Sequence, residues 1–437
     1  MTRTAARILA GAFVLAGATL TVGPRGDPWD RPSPDRAFAV ALHRMGWLKD
    51  VVAAGAPGPA EALRLVLEWR RAFGRWNGFS WNPEVLERRV FNLACQARAI
   101  CARASEAEAA HVALDLARQA RFLLRASEGP VRAAERSAAA AVAATALGGR
   151  PGEQLLSAAL LKLERTLPVT VLPDGGHATR SPQAALELLF DLLTLDDALV
   201  QRGVAPPDEV MRAIDRLAGA VRFFTLADGR LAAFQGGEEL QPAYVAAARA
   251  RDEGEARAIP AARNGYQRLE ARSLQVVADA AAPAAGPWSV AACAQPLAIE
   301  VLAAGRRLIV GAGWSPDAQG PQAMRLVDAA STASLGDAPI GEPLRGVSAR
   351  VLGPRLTGAI DTVEARRHEA DGALWLELAH EGWSKRFGLR HERRLYIDVE
   401  ADELRGEDRF SPVGRGAGGA SSCPSWSASI STLRSRP

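Results

Sequence analysis

Ala184-Ala185-Leu186-Glu187-Leu188-Leu189-Phe190-Asp191-Leu192-Leu193 is apolar over much of a helical circumference. A surface helix keeps one polar face, so a stretch like this reads as an inner helix packed between neighbours. Its surroundings agree. From Ala37 to about Ala250 helical patterning recurs over Ala60–Phe73, Pro83–Ala99, Glu106–Ala126, Val131–Leu147, Glu153–Leu163, Gln183–Gln201 and Pro207–Thr225. Gly/Pro/Asp punctuation separates them, as at Gly148-Gly149-Arg150-Pro151-Gly152, Pro173-Asp174-Gly175-Gly176 and Ala227-Asp228-Gly229. Paired helices in layers follow.

Beyond Pro260 the period falls to two. Ala298–Leu302, Arg306–Val310, Leu374–Leu378 and Arg393–Val399 read as strands between Gly, Pro and Asp turns. Strands in series after a run of helices predict a multidomain chain, α then β, ending in an antiparallel sandwich. The expected divisions are an N-terminal segment (1–36), a helical domain (37–255), a linker (256–264), a sandwich (265–410) and an aberrant tail (411–437). No internal repeat of fixed period is present.

Composition narrows the function classes. The 437 residues are 48% hydrophobic and 23% charged, ordinary globular values, and length alone allows two or three domains. A net charge of +4 is spread along the chain and is no nucleic-acid footprint. Cys95, Cys101, Cys293 and Cys423 are too scattered for a disulfide scaffold and form no C-x-x-C pair. The six histidines include no i, i+4 pair, and G-x-S-x-G and P-loop motifs are absent.

Near the N-terminus, Arg3 and Arg7 precede the apolar run Ile8–Leu15 and Ala16-Gly17-Ala18, the three-part form of a secretory signal. The run is too short to span a bilayer, which takes about 20 apolar residues. A folded N-terminal segment is the competing reading. The first places the protein in the cell envelope or periplasm, the second in the cytoplasm.

Three loops could carry chemistry. Asp174-Gly175-Gly176-His177-Ala178-Thr179-Arg180-Ser181-Pro182 sets an imidazole and a guanidinium on a glycine-rich loop ahead of the inner helix; the plainer account is Ser181 as helix cap with Pro182 at the first position. Gly265-Tyr266-Gln267-Arg268 opens the second half at a domain junction, where clefts form. There a tyrosine, of ordinary pKa about 10, becomes a feasible base only if adjacent cations lower it. His380-Glu381-Gly382-Trp383-Ser384-Lys385-Arg386-Phe387-Gly388-Leu389-Arg390-His391 joins two strands through a cationic turn bearing a Trp, suited to an anionic sugar or equally to an ordinary hairpin.

Taken in order, these loops, with Trp81-Asn82-Pro83 before them and Gly406-Glu407-Asp408-Arg409 after, resemble the heparinase II/III-like family of polysaccharide lyases over nearly the whole chain to Phe410. The resemblance implies an α/α toroid followed by an antiparallel β-sandwich, the active cleft between them, and β-elimination at a uronic acid. That reaction neutralises the carboxylate, removes the α proton and protonates the leaving oxygen. It implies catalytic roles for Tyr266, His177 and His380, and substrate binding by Arg180, Asp174, Trp81, Asn82, Arg268, Trp383 and Arg386. The partner expected is an anionic polysaccharide, with no cofactor, no nucleic acid and no integral membrane span; the oligomeric state is not set by the sequence.

The departures from the family are as informative. Its Asn-His pair, whose Asn neutralises the carboxylate, is replaced within Val131-Arg132-Ala133-Ala134-Glu135-Arg136-Ser137. Cys293 stands where one sandwich histidine of the family would help build a metal site, and the stretch that would hold the other reads Ala329-Ala330-Ser331-Thr332, so no zinc is expected. A non-catalytic glycan-binding or envelope protein is therefore the alternative; a third, an inverting glycosidase, would need a carboxylate pair such as Asp174 and Glu135. Finally, Ser411–Pro437 has no acidic residue and a Ser/Gly/Arg bias, which suggests a shifted reading frame and a sandwich missing its last strands.

Overall fold

The computed structural model describes residues 1–126, 129–252, 254, 257–315, 322–413 and 427–434. Two compact units divide the chain, Met1–Pro168 with Asp191–Met211, and Val169–Phe190 with Arg212–Pro437.

The first unit opens with helix α1 (Arg3–Leu9) and the hairpin β1 (Ala12–Leu15) and β2 (Ala18–Thr21). Thr2 caps α1, and Ile8 and Phe13 are buried, Phe13 edge-on to Trp47 at 5.9 Å. Ile8–Leu15 thus runs from the end of α1 through β1. Helices α2 (Arg36–Arg44), α3 (Leu48–Val52), α4 (Pro57–Phe73), α5 (Pro83–Cys101), α6 (Glu106–Arg125), α7 (Ala133–Thr145) and α8 (Gly149–Thr170) follow; of the later helices, α9 (Pro182–Gln201) and α10 (Asp208–Phe224) are divided between the two units and α11 (Pro242–Arg249) belongs to the second. Small side chains explain the position of α7: Ala133 to Ala144 are all buried, and the helix packs on both α5 and α6. Among the described residues no helix is long and apolar enough to cross a membrane.

The second unit holds two five-stranded antiparallel sheets. One runs β3 (Ala262–Arg263), β4 (Tyr266–Glu270), β5 (Leu274–Asp279), β6 (Ile299–Ala303) and β7 (Arg306–Ile309) in sequence order. A short pair, β8 (Glu342–Pro343) and β9 (Leu356–Thr357), flanks helix α12 (Gly346–Leu352). The other sheet runs β10 (Glu364–Ala370), β11 (Ala373–Trp383), β12 (Leu389–Asp398), β13 (Glu403–Pro412) and β14 (Ser427–Arg434), with the one-turn helix α13 (Ser384–Phe387) between β11 and β12. Alternating side chains from both sheets interleave in one core, Leu269, Val276, Ile299 and Val301 against Leu376, Leu378, Leu395 and Ile397; this is face-to-face packing.

One expectation needs correcting here. We expected the sandwich to lack strands after Phe410, yet Ser427–Arg434 pairs antiparallel with β13. The β13 edge is a template of main-chain donors and acceptors that a further strand can occupy. The rest of the tail, Cys423 included, and Ala256 at the expected linker's start lie outside the described residues.

Candidate functional site

The Asp174–Arg180 loop closes on itself before meeting the sheet. Val171 and His177 form an isolated bridge, and Asp174 accepts from the Gly176 N–H at 2.9 Å and from the Asn264 N–H at 2.6 Å. A Cβ on Gly176 would lie 2.2 Å from the Asn264 side chain, so the second glycine of the motif is dictated by this close approach. Asn264 in turn donates to the His177 carbonyl at 3.2 Å.

His177 is buried. Its Nδ1 accepts from the Thr179 N–H at 3.2 Å and lies 2.7 Å from the Thr179 hydroxyl, which places the ring proton on Nε2. The ring stands edge-on to Trp288 at 6.2 Å.

Arg180 sits at φ 63°, in the left-handed region. Its guanidinium donates to the carbonyls of Asn264 (3.2 Å), Ala281 (3.1 Å), Ala282 (2.7 Å) and Gly265 (3.1 Å), and to Asp279 at 2.5 Å. Those bonds account for all five N–H donors of the fork. The second Asp279 oxygen accepts from Gln235 at 2.9 Å.

Tyr266 lies beneath Arg180, whose Cζ is 4.7 Å from the ring centroid. The residue is fully buried, walled by Phe224 and Phe234 at 5.0 and 5.1 Å, and its hydroxyl donates to the Arg180 carbonyl at 2.9 Å. Burial pushes the phenol well above its ordinary pKa, the Asp279 carboxylate adds to this, and Arg180 offsets only part. Arg268, on the same strand, donates to the Phe223 and Thr225 carbonyls and pairs with Glu270 at 2.6 Å.

His380 belongs to a second buried assembly. The Gly382 N–H donates to its Nδ1 at 3.0 Å; its Nε2 lies 3.2 Å from His391 Nδ1; His391 Nε2 lies 2.8 Å from Asp408. Since Nδ1 of His380 accepts, its Nε2 donates to His391, which donates to Asp408: a chain of neutral rings running one way. Arg393 grips Asp408 bidentately at 2.8 and 2.7 Å. Burial and the neighbouring His391 hold His380 down to about 3. Burial opposes ionisation of Asp408, but its bonds to His391 and Arg393 prevail and bring it to about 2.

The remaining expected residues are placed as follows. Trp383 is buried among Val327, Ala338 and Ile340, and Arg386 is exposed, its guanidinium 5.5 Å from the Phe387 ring. In the first unit Trp81 is buried with its indole donating to the Phe73 carbonyl, and Asn82 caps α5. The structure thus joins Asp174, His177, Arg180 and Tyr266 in one cluster, and His380 with Trp383 in another.

Sequence reasoning missed the partners that saturate these groups: Asn264, Asp279, Gln235 and Asp408. Asp408 alone had a signal, the Gly406-Glu407-Asp408-Arg409 stretch. In the first unit, where the family's Asn-His pair is lost, Arg132 and Arg88 converge on the buried Glu87 at 2.6 and 2.9 Å, and Arg88 also pairs with Asp191.

The residues present do not fit a sandwich metal. The Cys293 thiol is pushed up by burial to about 11, and the Gln295 amide donates to the Met324 and Leu326 carbonyls. The space they share with Ser331 is about 10 Å³, room for one water. Among the described residues no group of three or more His, Cys, Asp or Glu could hold a metal ion.

Comparison with known proteins fits this architecture. Residues 254–432 match the heparinase II/III-like C-terminal domain. FtsZ-localized protein C of Caulobacter vibrioides (strain NA1000 / CB15N) is 53% identical over 408 residues, 93% of this chain and 71% of that protein. Among solved structures, heparinase III has a TM-score of 0.65 at 13% identity, over 90% of this chain and 66% of its own. The heparan sulfate lyase HepC of Pedobacter heparinus has a TM-score of 0.56 at 15% identity, over 94% and 68%. The chain spans about two thirds of the length of these solved structures.

The chain belongs to the heparinase II/III-like family, and its fold is that family's α/α toroid followed by a β-sandwich. The relative's name, FtsZ-localized protein C, also corrects an expectation, since it runs against the cell-envelope or periplasmic location expected for this chain.

Proposed function

We propose that this chain is a non-catalytic member of the lyase-like family that works as a binding protein of the division site, in the company of FtsZ on the cytoplasmic side. One observation carries the non-catalytic half: the hydroxyl of Tyr266 is fully buried and donates to the Arg180 carbonyl, in surroundings that raise its pKa. A phenol that must take a proton near neutral pH needs the opposite environment. His380 adds support, since both its ring nitrogens are engaged inside the sheet. The division-site half rests on the 53% identical relative named for FtsZ localisation.

The second reading is the lyase itself, β-elimination on a uronic-acid-containing glycan with Tyr266, His177 and His380 catalytic, favoured by the assembly of the Asp174–Arg180 loop against Tyr266 within a heparinase-like fold. Incubation with a panel of uronate polymers, followed by ultraviolet absorbance of the unsaturated product, separates the two. We expect no product on any polymer at high protein concentration, and a fluorescent fusion coinciding with FtsZ at division sites. Product that disappears in Tyr266→Phe would establish the lyase, and a fusion spread evenly through the cell would remove the division-site half.

A further inference from the structure

A guanidinium buried without a carboxylate has to find its acceptors elsewhere, and the chain shows how twice. Arg89, 0% exposed, donates to Gln119 at 2.8 Å, to the Ser80 carbonyl at 2.6 Å and to the His43 carbonyl at 3.4 Å, with the Trp69 ring 4.2 Å away. Arg325 donates to Gln322 at 2.8 Å and to the carbonyls of Ala292 (2.8 Å), Ser289 (2.9 Å) and Pro354 (2.7 Å). Arg136 breaks the pattern. It is 5% exposed, in the first turn of α7, yet its one hydrogen bond among the described residues is a long one, 3.4 Å to the Gly129 carbonyl, and its buried Nε has no partner.

The surroundings add positive potential without an anion to meet it. Helical side chains lean towards the N-terminus, so the Arg136 guanidinium reaches back over the start of α7 to Gly129. That start is uncapped. Arg132 holds the N-cap position at φ 57° with no side-chain bond to the helix, and the N–H of Ala134, a residue 0% exposed, has no acceptor among the described residues. A free N–H at a buried helix start is the positive end of the helix dipole. A second cation stands close by: Lys162, from α8, donates to the Leu124 carbonyl at 2.5 Å at the end of α6, and its ammonium is held below the ordinary lysine value by burial and then by the charge of Arg136. Neither cation pairs with a carboxylate among the described residues. Glu135, the acidic residue of the turn, lies about 100° round the helix from Arg136.

We infer that the start of α7 is a binding site for a phosphate-class oxyanion, free phosphate or a terminal phosphoryl group, held by the Ala134 N–H, the Arg136 guanidinium and the Lys162 ammonium. Two cations and a helix N-terminus match a dianion, whereas a single carboxylate would leave one cation uncompensated. Arg136 supplies the planar fork and Lys162 a point charge. The way in is between Gly129, which is exposed, and Lys162, which is half-buried, so a phosphoryl group can enter while whatever carries it stays outside. A nucleic-acid backbone is not the ligand these groups select, because the net charge of +4 is spread along the chain and forms no basic stripe. The family's Asn-His pair is missing from this stretch, so the donors are this chain's own, and the inference is independent of whether the lyase chemistry survives.

The test follows the thermal midpoint of the full chain as inorganic phosphate replaces chloride at constant ionic strength, with ribose 5-phosphate in a second arm. We expect a saturable rise, since a ligand that binds the folded state alone stabilises it. Equal rises in both arms support a site that reads the phosphoryl group; a rise with inorganic phosphate alone supports a site for the free ion. R136M should bind about tenfold more weakly, and the order of stability should invert: without phosphate R136M is at least as stable as the parent, because an unpaired buried charge is gone, and at saturating phosphate it is the less stable of the two. K162Q, at a half-buried position, should weaken binding about threefold and serves as the second variant if R136M does not fold. No saturable rise in either arm, or the same rise in R136M and K162Q as in the parent, overturns the inference.

Discussion

The Arg180 cluster and the His380 relay are both made from motifs that looked catalytic, and both are buried, yet they hold the fold by different means. Around Arg180 the bonds are charged and tie together distant parts of the chain, the loop before α9, the β3–β4 turn and the end of β5. Around His380 the groups are largely neutral rings within one sheet, β11 to β12 to β13, with charge entering only at Asp408 and Arg393. A charged cluster is sensitive to losing one member, because the partner is left ionised in an apolar place. A neutral relay is sensitive to protons instead, because any ring that charges must do so without water.

The largest effect should therefore come from breaking the first cluster. Arg180→Met leaves Asp279, 1% exposed, with its negative charge uncompensated, and Asp279→Asn leaves the guanidinium in the same plight. Each should cost about 3–5 kcal/mol in urea unfolding. R180M/D279N together should cost less than the sum of the two, and strict additivity would show that the pair is not coupled.

The second effect separates the regions by pH. His380 stays neutral in the folded protein down to about 3, whereas an unfolded histidine takes its proton near 6.5. Between those values the unfolded chain binds more protons, so stability present above 6.5 is lost as pH falls towards 3. Asp408 acts in the same direction lower down, its contribution fading as pH falls from 3.8 through about 2. Glu300 has the opposite sign: its folded value of about 7 lies above the unfolded 4.5, so its contribution is present below 4.5 and is lost as pH rises through 7. Unfolding midpoints across pH 3 to 8 should show the acid loss of a few kcal/mol, and His380→Gln should flatten the slope between 6.5 and 3. An unchanged slope would remove the relay from the account.

How much of this was legible in the sequence differs between backbone and site. Pro83–Cys101 and Glu106–Arg125 lie nearly at their expected ends, because caps such as Asn82-Pro83 and Ser105 with Glu108 mark them locally, whereas the expected Glu153–Leu163 runs from Gly149 to Thr170 and the short helices Arg36–Arg44, Leu48–Val52 and Pro242–Arg249 were not read. Strand β10, Glu-Ala-Arg-Arg-His-Glu-Ala, was not legible: it is an exposed edge strand whose charges guard against further pairing, so it shows no apolar alternation. The site motifs were visible as residue types, but their meaning was not. Nothing within Gly265-Tyr266-Gln267-Arg268 says that the Tyr266 hydroxyl will face a carbonyl 86 residues away, since that partner is supplied by tertiary packing.

The smallest expected effect is also the sharpest on the difference between structure and chemistry. Tyr266→Phe removes one hydrogen bond, to the Arg180 carbonyl, and leaves the ring's contacts with Phe224, Phe234 and the Arg180 guanidinium in place. A buried neutral hydrogen bond contributes about 1 kcal/mol net, and the carbonyl left behind can lose a little more. If the tyrosine only closes the cluster, the variant should be destabilised by about 1 kcal/mol, and a fluorescent fusion of it should distribute in the cell as the parent's does. The comparison sharpens when it is paired with Gly176→Ala, whose Cβ must push Asn264 away and loosen the same loop by another route. A Tyr266→Phe protein of unaltered stability that nonetheless loses a measurable activity would place the hydroxyl in the chemistry, and the cluster would have to open to use it.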